Sequence, residues 1–90
     1  METTNTSVTV AATTTAVLAA NVKRISALII NNSDEVIYLA LGSAAVLNKG
    51  IRLDASGGSF VLEDSDDFNG AINGISTSGS KVVTVVELAA

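Results

Sequence analysis

Two runs in this chain, Ile25–Ile30 and Val36–Leu41, are apolar on both faces that a strand presents, and they limit the possible folds more than any other feature. Side chains along a strand alternate between its two faces. In the first run Ile25, Ala27 and Ile29 alternate with Ser26, Leu28 and Ile30; in the second Val36, Tyr38 and Ala40 alternate with Ile37, Leu39 and Leu41. Strands of this kind are covered on both sides. The core of a single sandwich covers one face, so a neighbouring subunit or a loop folded back is expected to cover the other. Asn31, Asn32, Ser33, Asp34 and Glu35 form a polar connector between the runs. Two β-rich runs joined in this way predict an antiparallel hairpin at the centre of a small all-β domain. One face of that hairpin is expected to meet the domain's other sheet and the other a partner chain.

The remaining chain supports an all-β reading. Residues Met1–Thr6 are polar and are expected to be mobile. Ser7–Ala12 alternates with period two, as a half-covered strand does. Ala16–Asn21 is too short for a stable helix and reads as strand or extended coil. Short strand signals follow at Ile51–Leu53, Ser59–Glu63, Ala71–Ser76 and the valine-rich Lys81–Leu88, separated by turn residues at Lys49-Gly50, Asp54–Gly58 and Thr77–Ser80. Ala44–Asn48 reads as a helical turn or an irregular crossing. The pattern predicts a compact antiparallel β-sandwich or jelly-roll-like barrel of about seven short strands. Residues 1–21 are expected to form an N-terminal arm with a possible strand, and residues 22–90 the sandwich domain.

Composition narrows the chemistry. The chain has no proline, cysteine, histidine or tryptophan. Disulfides and thiolate metal sites are therefore excluded, as are the commonest metal ligand and the commonest general base. Nine acidic residues against five basic ones give a formal net charge of −4, which argues against a phosphate-binding surface for nucleic acid. No apolar run approaches the roughly 20 residues of a membrane helix, and the start METTNTSVTV lacks the pattern of a signal peptide. A chain of this size buries only about 60% of its unfolded surface, so self-association is a physical expectation. No cofactor is expected.

Three stretches invite a chemical reading. Glu63-Asp64-Ser65-Asp66-Asp67 concentrates carboxylates that could hold a calcium ion, but its spacing is not that of an EF-hand loop, and a solvated acidic loop is the simpler reading. Gly57-Gly58 has no following Lys-Ser or Lys-Thr and opens no helix, so it is no phosphate loop. Glu63 and Asp66 could serve as a carboxylate pair of glycosidase type, although without histidine or cysteine the usual nucleophile–base pairs are missing. The residues expected to carry interactions are Val8, Val10, Leu28, Ile30, Ile37, Leu39, Leu41 and Phe68.

From Arg24 to Glu87 the succession RISALIINNSDEVIYLALG, then KGIRLDASGGSFVL, an acidic segment, and FNGAINGISTSGSKVVTVVE resembles the small β-rich accessory virion proteins of tailed bacteriophages, of the capsid decoration, cement or head-fibre-base type. The resemblance implies a non-enzymatic structural role on the outside of a phage head. It implies a homotrimer that clamps the major capsid protein, made in the host cytoplasm and resident on the virion; from the charge balance and the shortness of the apolar runs, neither nucleic acid nor membrane is expected as partner. An N-terminal arm adding a strand to a neighbour would fit the alternation of Ser7–Ala12. The rival readings are a fibre-base or glycan-binding module working through Asp54–Gly58 and Glu63–Asn69, and a carboxylate hydrolase.

Overall fold

The computed structural model describes residues 1–90. Eight strands form: β1 (Glu2–Val10), β2 (Thr15–Leu18), β3 (Arg24–Asn31), β4 (Ile37–Leu41), β5 (Ile51–Leu53), β6 (Ser59–Leu62), β7 (Ile72–Ser76) and β8 (Lys81–Ala89). The only helical element is a 3-10 turn at Asp64–Asp66. The strands make two four-stranded antiparallel sheets, ordered β1-β8-β3-β6 and β2-β7-β4-β5. Pairing is nested: β1 lies on β8, β2 on β7, β3 on β6 and β4 on β5. A long hairpin with those four pairs, rolled until β3 also meets β8 and β4 meets β7, gives a jelly roll, one of the architectures open to an all-β chain of this length.

The alternation seen in the sequence determines what faces inward. Val10, Ile29, Val83 and Val85 from the first sheet meet Val17, Ile37, Leu39, Leu53 and Ile72 from the second, all at most 5% exposed. Each such side chain contributes about 1.5–3 kcal/mol on burial. The core is aliphatic throughout, with Phe60 and Phe68 only packed against its margin. Gly74 of β7 lies where a Cβ would come 3.1 Å from Val17 and 3.4 Å from Leu39, so the lack of a side chain lets the sheets close at that point.

Arg24 ties the sheets together at one end. Its Nε donates to Glu87 Oε2 of β8 at 2.8 Å, its Nη1 to Gly70 O ahead of β7 at 2.9 Å, and its Nη2 to Ala19 O after β2 at 2.7 Å. The Arg24 side chain is 1% exposed. Removing one partner of so buried a pair costs about 3–5 kcal/mol, because the other charge is left without compensation.

The hairpin expected at β3 and β4 does not form. Both edges of β3 are occupied, by β6 and β8, and β4 pairs with β5 and β7 in the opposite sheet. The polar connector is a crossover between sheets, organised by the fully buried Asn31. Its Nδ2 donates to Glu35 O at 2.7 Å and to Leu53 O at 3.0 Å, while its Oδ1 accepts from Ser33 N at 3.0 Å and Ser33 Oγ at 2.7 Å.

The packing sets no boundary at residue 22. β1 pairs with β8 from Glu2 to Val10, including the stretch Met1–Thr6 expected to be mobile, except Met1 itself. Val10, Val17 and Leu18 belong to the core.

Candidate interaction surface

The outward residues of the first sheet follow from its register. Leu28 of β3 lies between Val61 of β6 and Val86 of β8, and the row ends on Asn5 of β1. Ile30 lies between Ser59 and Thr84, and Leu88 opposes Ser26. Val82, one step further along β8, opposes Thr9. Leu28, Ile30, Val61, Val82, Val86 and Leu88 therefore share one outer face, half-buried by each other except Val61, which is 52% exposed. β1 borders this face with Thr3, Asn5, Ser7 and Thr9.

The second sheet has a different outer face. Its positions Tyr38, Ala40 and Asn73 lie beneath the loop of residues 42–50 between β4 and β5. Asn73 Nδ2 donates to Ser43 O at 2.7 Å, Tyr38 O–H donates to Asn48 Oδ1 at 3.0 Å, and Ala45 N donates to Thr14 Oγ1 at 2.8 Å. Ala45 is 5% exposed as a result. The loop turns through Gly42 at φ 78° and Gly50 at φ 82°, and a Cβ on Gly50 would lie 2.3 Å from Leu39 O. Only glycine fits there. An open hollow of about 600 Å³ remains beside the loop, with Leu41, Val46 and Ile51 among its apolar lining and Ser43 and Lys49 as its polar residues.

The expected interaction residues thus separate into three groups. Val10, Ile37 and Leu39 are fully buried in the core and present nothing to a partner. Ile37 and Leu39 do not share a face with Leu28 and Ile30, because their strands lie in different sheets. Val8 packs against the core, and Phe68 closes its end, with its ring 3.7 Å from where a Cβ on Gly42 would stand. Leu28 and Ile30 lie on the outer apolar face, and Leu41 lines the hollow. Val61, Val82, Val86 and Leu88 join them although the sequence pattern does not single them out. The alternation of Lys81–Leu88 places the β8 residues on one face, but their neighbours depend on pairing with β3, which local pattern does not reveal.

The acidic stretch is engaged with its own backbone. Asp66 Oδ2 accepts from Glu63 N at 2.8 Å, closing a capping box, and Asp67 ends the turn at φ 51°. No three carboxylates gather closely enough to hold a metal ion. Glu63 and Asp66 are exposed and do not line the hollow. Elsewhere charge is paired at the surface: Lys81 Nζ lies 2.7 Å from Asp34 Oδ1 and Arg52 Nε 2.8 Å from Asp54 Oδ1. The hydrogen bond from Lys81, with its charge, holds the Asp34 carboxyl below its usual range, and Asp34 in turn raises Lys81.

Neither a protein-family model, nor a curated protein, nor a solved structure matches the chain. The fold and its surfaces carry the functional argument.

Proposed function

We propose that this chain is a non-enzymatic structural protein of a phage virion, a decoration or cement protein that binds the outer surface of the head and stabilises it. The observation that carries this reading is the apolar outer face of the first sheet, half-buried except at Val61, on a chain that fastens its own loop against the outer face of its second sheet. A contiguous apolar patch on the outside of a domain marks a site of protein association. Jelly rolls recur in viral capsid and lectin domains, and the resemblance of Arg24–Glu87 to accessory virion proteins points toward the first. Since a fold hosts many functions, the surface carries more weight than the architecture. Several copies engaging one capsid lattice would bind more tightly than any single contact allows.

Co-sedimentation with phage heads stripped of accessory protein tests the reading. The wild-type chain is expected to pellet with the heads and raise their melting temperature. Leu28→Asp, which changes the outer face, is expected to abolish both effects while the chain remains folded. Binding unaffected by Leu28→Asp, or no binding, would overturn the proposal. A glycan-array signal lost on substituting Phe68 would favour the receptor-binding alternative.

A further inference from the structure

The four strands that end a sheet are β1 and β6 in the first and β2 and β5 in the second. β2, β5 and β6 have four, three and four residues, and the register of β2 on β7 breaks between Ala16 and Leu18. Short or irregular edges resist pairing with another chain. β1 is nine residues long and runs in unbroken register along β8 from Glu2↔Ala89 to Val10↔Lys81. It has no proline, lysine or arginine, and its only charge is Glu2. Every residue from Glu2 to Ser7 is exposed. Alternate residues of an antiparallel strand direct N–H and C=O to the same side, so half of these backbone groups point away from β8. Between Glu2 and Thr9 they have no other backbone partner, and the only side chain that reaches them is Thr6, whose Oγ1 donates to Ser7 O at 3.4 Å.

We propose that β1 is a homodimerisation edge: the β1 strands of two copies pair antiparallel about a two-fold axis through Thr6, joining their first sheets into one continuous sheet. A second copy is the occupant that this edge fits over its whole length. The nine residues of β1 overlap fully with their own copy when Thr6, the middle residue, lies on the axis. Glu2 then opposes Val10, Thr4 opposes Val8, and Asn5 opposes Ser7. Each pair joins residues of the same face, so inward positions remain inward. Thr6 opposite Thr6 and Asn5 opposite Ser7 are hydrogen-bonding cross-strand pairs. The two Glu2 carboxylates fall at opposite ends of the ribbon, about 27 Å apart at the rise of a strand, beyond the screening length at physiological salt. Parallel pairing would place them side by side. The other edge of the same sheet, β6, could match only four residues of β1.

A two-fold interface of this kind closes at two copies, not the three that the resemblance implies. The inference does not depend on the partner being a capsid, because it concerns the free chain in solution.

Sedimentation velocity of the full chain, from micromolar to sub-millimolar concentration, tests it. The wild type is expected to dimerise. Thr6→Lys and Thr6→Glu each bring like charges face to face on the axis, and each alone should weaken the dimer roughly tenfold or more. An equal mixture of the two should restore it. Thermal melts establish that both variants fold. Amide hydrogen exchange on the wild type needs no variant: the outward amides of β1 should slow as concentration rises. A monomer at every concentration, a dimer indifferent to both substitutions, a mixture that stays monomeric, or β1 exchange independent of concentration would each overturn the proposal.

Discussion

The outer faces of the two sheets have solved the same problem differently. Each sheet places residues on the side away from the core. On the second sheet the loop of residues 42–50 covers them, fastened at Asn73, Tyr38 and Thr14. On the first, Leu28, Ile30, Val61, Val82, Val86 and Leu88 shield one another along the strands, and no loop lies over them. The difference teaches that apolar residues on both faces of a strand do not by themselves imply a partner chain. β4 shows the same two-sided pattern as β3, yet its outer side is covered within the monomer.

The largest effect should come from placing one substitution on the two sides of this contrast. Leu39→Asp buries a carboxylate in an aliphatic core without a partner and should cost more than about 4 kcal/mol, enough to unfold the chain. Leu28→Asp on the outer face should cost about 1–2 kcal/mol. Urea titration monitored by circular dichroism measures both, and equal losses would break the distinction between the faces. Gly50→Ala should come next. It requires a residue with a Cβ at φ 82° and places that Cβ against Leu39 O, so it should cost more than about 1 kcal/mol. Tyr38 fluorescence should then report release of the loop, making the second sheet resemble the first. The smallest effect should come from acid. Asp34 has a folded-state pKa below the usual 3.8, so the stability it contributes is complete above that value and is lost as pH falls through the lower folded value. Asp34→Asn should remove this part of the acid dependence and change little at neutral pH, because the Asp34 carboxylate is 82% exposed and water screens the pair.

The strands are legible in the sequence because period-two alternation is local. Ile51–Leu53, Ser59–Leu62, Ile72–Ser76 and the valine run of β8 all form where the pattern places them. Their pairing is not legible. A connector such as Asn31–Glu35 has the same composition whether it turns a hairpin or crosses between sheets. The deciding contact, from the Asn31 side chain to Leu53 O, spans 22 positions. The first half of β1 escapes a sequence reading for a related reason. With residues 2–7 exposed, that stretch needs no apolar side chains, and a threonine-rich strand then has the same appearance as a polar tail. For the candidate surface, the sequence points to Leu28 and Ile30, while Val61 and Val86 become their neighbours only through the pairing of β3 with β6 and β8.

Nested pairing also has a kinetic consequence. Glu2 finds its place only opposite Ala89, so the first strand synthesised must wait for the last. All-β chains with such distant pairings fold in milliseconds to seconds, slowly for their size. During translation β1 waits as a free strand made mostly of threonine, serine and asparagine, and its polarity protects it from the collapse that an apolar strand would undergo. The same residues that keep the waiting strand soluble leave its edge open once the domain has closed.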